Sequence, residues 1–158
     1  MRVVVAVDAF KGCLSSAEAG EAVAAGVRAA DPGGAVRVLP VADGGEGTVD
    51  ALLAERPGCR AVARVVDAVG RPVDAAYALL DEGPGTTAVV EAASCIGLAQ
   101  VDVGPDLPPR AGSAGLGLLV RHAVDHGARR VVVALGGTAC TDGRAGAAAR
   151  DGGVGPRP

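Results

Sequence analysis

Aromatic side chains are almost missing from this chain, with one tyrosine, one phenylalanine and no tryptophan in 158 residues. Its core must therefore pack alanine, valine and glycine closely, with little gain from any single anchor. Strong charge of either sign is also missing. A net charge of −3 gives no electrostatic case for nucleic acid or an anionic membrane surface. No apolar run is long enough to span a bilayer. Met1-Arg2-Val3-Val4-Val5 enters a strand directly without a signal-peptide pattern, so a cytoplasmic location is expected. Cys13, Cys59, Cys95 and Cys140 form no C-x-x-C pair. They are expected to be small buried residues in a reducing compartment. His122 and His126 lack the glutamate of an H-E-x-x-H motif, which leaves a solvated helix face as the expectation. There is no Walker A pattern, and Ser94 has no G-x-S-x-G flank, which argues against a P-loop and a serine hydrolase. Lysine occurs once, at Lys11.

What is present is a run of apolar strands, each followed by a glycine loop. Continuous β-branched content predicts strands over 2–7, 35–39, 86–91 and 131–135. Alternation over 59–66 and 73–80, with Gly70 in the turn between, predicts an antiparallel hairpin. Ser15 and Glu18 have capping-box spacing, and a helix follows to residue 30 with Ala19, Val23 and Val27 on one face. A second helix is expected over 49–55, with Thr48 as its N-cap. Leu116, Leu119, Val120, Ala123 and Val124 predict a third, closed by Gly127 at C′. Residues 145–150 could begin a fourth. The prolines and glycines of 103–112 suggest a hinge or a domain boundary.

The length suits one domain, or one and a piece of another. The expected fold is α/β, a flavodoxin- or Rossmann-like parallel sheet with helices, plus part of a second α/β domain. Residues 1–85 would be the first domain, 86–150 part of the second, and 151–158 a disordered tail.

Chemistry concentrates after the strands. If those strands are parallel, the loops 8–15, 43–48, 91–97 and 136–142 emerge at one carboxyl edge, where open α/β sheets bind ligands. They carry Asp8, Lys11, Asp43, Glu46, Glu91, Ser94, Thr138, Thr141 and Asp142. Asp43-Gly44-Gly45-Glu46-Gly47-Thr48 is central. Its glycines permit close approach to main chain, and the helix start at Gly47 and Thr48 would offer free N–H groups to an oxyanion. Asp43 and Glu46 would repel a bare phosphate, so a cation between them and the ligand reconciles the two. Lys11 is a mobile point charge suited to phosphate. Asp142 could instead cap the next helix. Acids for Mg²⁺, one lysine and glycine loops at helix starts are recurring parts of a phosphoryl-transfer site.

Five stretches resemble the bacterial glycerate kinases of the class that includes glycerate 2-kinases. They are Asp8-Ala9-Phe10-Lys11-Gly12-Cys13-Leu14-Ser15, the Ala42-to-Thr48 block, Gly70-Arg71-Pro72-Val73, Glu91-Ala92-Ala93-Ser94 with Gly97-Leu98, and Gly136 to Gly143 with Ala145-Gly146. The resemblance implies Mg²⁺- and ATP-dependent phosphorylation of a hydroxyl of D-glycerate on two α/β domains. It implies Asp8, Lys11, Asp43 and Glu46 as catalytic residues, with Asp43 and Glu46 at the metal. Gly44, Gly45, Gly47, Thr48, Glu91, Ser94, Gly136, Gly137, Thr138 and Asp142 would bind substrate or phosphate. Ala9, Cys13, Leu116, Leu118 and Arg144 depart from the family pattern. Family members are about twice as long, so a chain truncated at its C-terminal side is expected, with self-association through the incomplete sheet. The alternatives are an inactive remnant of such a kinase and a small α/β module that binds a phosphorylated ligand.

Overall fold

The computed structural model describes residues 1–82, 85–107, 110–143 and 145–150. The expected tail at 151–158, Arg144 and the prolines at 108–109 lie outside them. The elements run β1 (Arg2–Val7), α1 (Ser16–Ala30), β2 (Ala35–Pro40), α2 (Thr48–Glu55), β3 (Gly58–Val66), β4 (Pro72–Glu82), β5 (Gly85–Glu91), α3 (Ala93–Ile96), α4 (Ala114–Asp125), β6 (Arg130–Ala134) and α5 (Ala145–Arg150). The class is α/β, as the alternation of apolar strands and amphipathic helices requires.

The strands do not share one sheet. β1 and β2 form a parallel pair, in register from Arg2 with Ala35 to Val7 with Pro40. The other four form a mixed sheet in the order β3-β4-β5-β6. In it β3–β4 and β4–β5 are antiparallel, and β5–β6 is parallel. The expected division at residue 85 falls between two paired strands, since Tyr77 of β4 is opposite Val90 of β5 and Glu82 is opposite Gly85. The chain changes sheet earlier, between α2 and β3. A hairpin and a strand that pair directly cannot be separated by a boundary drawn where only the local composition changes.

Two expectations that depend on near neighbours agree with the structure. Ser15 Oγ accepts from Glu18 N–H at 3.2 Å while Ser15 N–H donates to Glu18 Oε2 at 2.8 Å, completing the capping box. Helix α4 ends in a left-handed Gly127 (φ 93°). Gly127 N–H donates to Val124 O at 3.0 Å and Ala128 N–H to Ala123 O at 3.1 Å. That is a Schellman closure. Two expectations of burial failed. Val23 is exposed, and α1 instead buries Ser16, Ala19, Gly20 and Ala24. The reason is close approach to the sheet, because a Cβ on Gly20 would fall 2.4 Å from Val38 Cγ1. Cys13 and Cys59 are exposed, one on a loop tip and one near the start of edge strand β3; Cys95 is buried and Cys140 half-buried. His122 is half-buried rather than fully solvated. Its Nδ1 meets Tyr77 Oη at 3.0 Å, and its ring stacks on His126 with centroids 3.9 Å apart. The suggested hinge is anchored at its end, where Ala111 is buried and Gly112 N–H donates to Ala68 O at 2.8 Å.

Apolar side chains cover both faces of the four-stranded sheet. On one face Tyr77, Val90, Cys95, Ile96, Leu116, Leu119 and Ala123 form the main core under α3 and α4. On the other, Ala78, Leu80 and Val89 pack with Val49, Leu52 and Leu53 of α2. Helix α2 therefore seats its apolar side on the second sheet, while Glu55 at its end keeps an ion pair at 2.9 Å to Arg37 of β2. That seating fixes the Asp43–Thr48 loop between the two.

Candidate active site

The loop after β1 is drawn into a tight turn. Phe10 N–H donates to Leu14 O at 2.9 Å, Cys13 N–H to Phe10 O at 2.8 Å, and Gly12 takes φ 72°. A left-handed residue there suits glycine. The turn presents Lys11 at an exposed tip. Its base is fixed by Ser16, whose Oγ donates to Val7 O at 2.5 Å and accepts from Val41 N–H at 2.9 Å. One hydroxyl thus ties together the ends of β1 and β2, from which Asp8 and Asp43 extend.

These loops enclose a cavity of about 340 Å³ lined by Asp8, Lys11, Cys13, Asp43, Glu46 and Gly47 among others. A second cavity of about 370 Å³ is lined by Lys11, Gly12, Glu46, Leu98, Ala99 and Gly137. Lys11 and Glu46 line both, so the loops from the two sheets face a common space. Asp8 Oδ1 accepts from Ala9 N–H at 2.7 Å and Asp43 Oδ1 from Gly45 N–H at 2.9 Å. Each carboxylate folds its own loop with one oxygen.

The helix start in the central loop differs from expectation. The N-cap of α2 is Gly47, with φ 88°, and no side chain of its own segment caps it. Thr48 Oγ1 donates instead to Gly45 O at 2.7 Å. The orphan amides are taken from a distance. Glu91, at the end of β5, accepts from Gly47 N–H at 3.3 Å and Val49 N–H at 3.1 Å. The oxyanion expected at this helix start is the protein's own carboxylate.

Other expected site residues serve structure. Ser94 Oγ donates to Glu91 O at 2.7 Å and lies 3.1 Å from Ala76 O. Asp142 Oδ2 accepts from Ser113 N–H at 2.8 Å, Ser113 Oγ at 2.9 Å and Gly146 N–H at 3.3 Å. It joins the starts of α4 and α5 and does not line the two cavities described. Thr138 pairs with Gly97 in an isolated bridge, and Leu98 N–H donates to Gly137 O at 2.8 Å. Gly136 N–H reaches Gly44 O at 2.8 Å. Gly44, Gly45 and Gly136 form a close main-chain crossing, and Gly137 lines the second cavity. Leu98 and Ala99 were not among the expected site residues, although Leu98 lies in a stretch that resembles the family; the Gly97–Thr138 bridge and the Leu98 N–H bond to Gly137 bring them to the cavity.

Among the described residues no three acidic, cysteine or histidine groups converge as a metal cage. Asp43 and Glu46 still suit Mg²⁺, which is commonly held by one or two carboxylates together with phosphate oxygens and water. Their hard oxygen donors share a cavity with a single ammonium group.

The fold and site together define an α/β protein with a glycine-walled acidic cavity at the meeting of two sheets. The chain belongs to the glycerate kinase family, whose model matches residues 3–154. It is 42% identical over 147 residues to a glycerate kinase of Bacillus subtilis strain 168. It is 37% identical over 146 residues to a glycerate 2-kinase of Escherichia coli K12. Each match takes in 92% of this chain and 38% of the relative. A crystal structure from Salmonella typhimurium LT2, provisionally named glycerate kinase 2, superposes with a TM-score of 0.75 at 36% identity, covering 95% of this chain and 40% of that one. The chain thus spans about 38% of the length of these curated relatives. No helix among the described residues is long and apolar enough to cross a membrane.

Proposed function

We propose that the chain carries the phosphate-handling part of a glycerate kinase site, in which ATP phosphorylates a hydroxyl of D-glycerate. The observation that carries this reading is the shared cavity of Asp8, Lys11, Asp43 and Glu46. Three carboxylates and one ammonium leave an acidic site that would reject a bare polyphosphate and accept one whose charge is neutralised. Asp43 and Glu46 would hold Mg²⁺, which supplies that neutralisation when bound. Lys11, on its exposed turn, would reach a phosphoryl oxygen as a point charge. The glycerate hydroxyl oxygen bonds to the γ-phosphorus as the bond from that phosphorus to the β,γ-bridging oxygen breaks. ADP leaves, and the hydroxyl proton passes to Asp8, the carboxylate of the cavity that the cation leaves free.

Calorimetry with MgATP, paired with an ADP-release assay in the presence of D-glycerate, tests this. Binding that disappears in Lys11→Ala, with ADP release dependent on glycerate, supports the reading; no binding to the unsubstituted chain ends it. A second reading, binding of a phosphorylated ligand without turnover, is favoured by α4. There Leu116 is buried in the core and Leu118 packs against it, two positions that depart from the family pattern. Binding without ADP release would select it.

A further inference from the structure

We propose that Glu91 is a positioning residue, which caps helix α2 from the neighbouring sheet and holds the Asp43–Thr48 loop against the cavity. This rests on the reading of that cavity as the phosphate site. Glu91 is 7% exposed and spends both carboxylate oxygens on α2, Oε1 on Gly47 N–H and Oε2 on Val49 N–H. Nothing local competes for these amides. Gly47 has no side chain, its φ of 88° suits no ordinary capping residue, and the Thr48 hydroxyl is turned away to Gly45 O. A carboxylate at a helix start is favoured by the partial positive charge there.

Glu91 is itself rigidly mounted. It ends a strand paired on both sides, and the next residue, Ala92, donates its N–H to Ala134 O at 2.9 Å. The cap therefore transmits the position of β5 to Gly47 and Glu46, which line the cavity. It also decides where a ligand anion can sit. With the helix start filled by an internal carboxylate, the phosphate contacts fall to Lys11 and to a bound cation. Glu91 acts on the ligand only through the loop.

The test is amide-resolved hydrogen exchange on the 158-residue chain, for the unsubstituted protein, Glu91→Gln and Glu91→Ala. Glutamine keeps the size of the side chain but offers one acceptor oxygen and no charge, so it guards against simple unfolding. Exchange at Gly47 and Val49 should quicken at least about tenfold in Glu91→Gln and further in Glu91→Ala, with β1 amides unchanged. MgATP affinity should fall about tenfold in both, and added formate should restore much of the protection and affinity in Glu91→Ala. Unchanged exchange at both amides in both variants would overturn the proposal. So would weakened MgATP binding with those amides unaltered, because Glu91 would then touch the ligand. If MgATP fails to bind the unsubstituted chain, the functional reading falls, while the exchange result still judges the cap by itself.

Discussion

The N–H of Gly136 meets the carbonyl oxygen of Gly44 at 2.8 Å, joining the loop after β6 to the loop after β2. This bond crosses from one sheet to the other, and the crossing is tight. A Cβ on Gly136 would lie 2.6 Å from Gly45 N and 2.9 Å from Gly44 C. The obstacle is main chain, which cannot swing aside like a flexible side chain. Gly136→Ala should therefore cost about 1–3 kcal/mol and weaken ligand binding, as read by urea unfolding and calorimetry. Gly26, inside α1, is the contrast, because a Cβ there would meet nothing within 4 Å. Gly26→Ala should gain about 0.5–1 kcal/mol through helix propensity and leave binding alone.

Cation dependence follows from the charge count at the cavity. Asp8, Asp43 and Glu46 face the same space as Lys11. Removing Mg²⁺ with EDTA should reduce ATP affinity by about tenfold or more, as three carboxylates then oppose the triphosphate. Glu46→Gln removes one of those charges and should make binding less sensitive to EDTA. Titration calorimetry with and without Mg²⁺ on both proteins reads the difference.

The β3–β4 turn should be acid-sensitive. Burial pushes the Asp67 carboxyl up, but hydrogen bonds from Arg71 N–H, Arg71 Nε and Val69 N–H, with the Arg71 charge, together outweigh it and hold it below the usual range. A lowered folded value gives stability that is present above the unfolded value of about 3.9 and lost as pH falls through the folded one. Asp67→Asn should cost about 1–3 kcal/mol at pH 7. Urea midpoints of the two proteins should converge as pH drops below about 4.

His122 imposes a second dependence nearer neutrality. Burial lowers its tendency to charge, the stacked His126 adds to this, and Asp125 opposes it. The folded chain then binds this proton less readily than the unfolded chain. Stability should be full above about 6.5 and decline as pH falls from there through the lower folded value. His122→Gln should flatten that part of the profile in thermal melts between about pH 7 and 5, with a cost at neutral pH from the lost Tyr77 contact.

Edge strand β6 exposes Val132 and Val133, followed by exposed Leu135, and β1 exposes Val4. An apolar edge of this kind invites pairing with another chain. Sedimentation velocity should show mass rising with concentration, and Val132→Lys should shift the distribution toward monomer. A single monomer peak across a hundredfold concentration range would count against self-association.

The sequence by itself determined several features that depend on neighbours a few residues apart. The capping box of Ser15 and Glu18, the Gly127 closure, the hairpin around Gly70 and the α/β class are all set by local spacing and periodicity. It also marked Lys11, Asp43 and Glu46 as chemically unusual. The tertiary structure alone decided which strands share a sheet, because pairing between β4 and β5 depends on register with distant partners. It alone decided that Gly20 rather than Val23 faces the sheet, since that depends on how closely α1 approaches Val38. It also decided the fate of Glu91 and Asp142. A carboxylate looks the same in sequence whether it meets a ligand or a helix start, and only the folded chain brings backbone amides within reach of it.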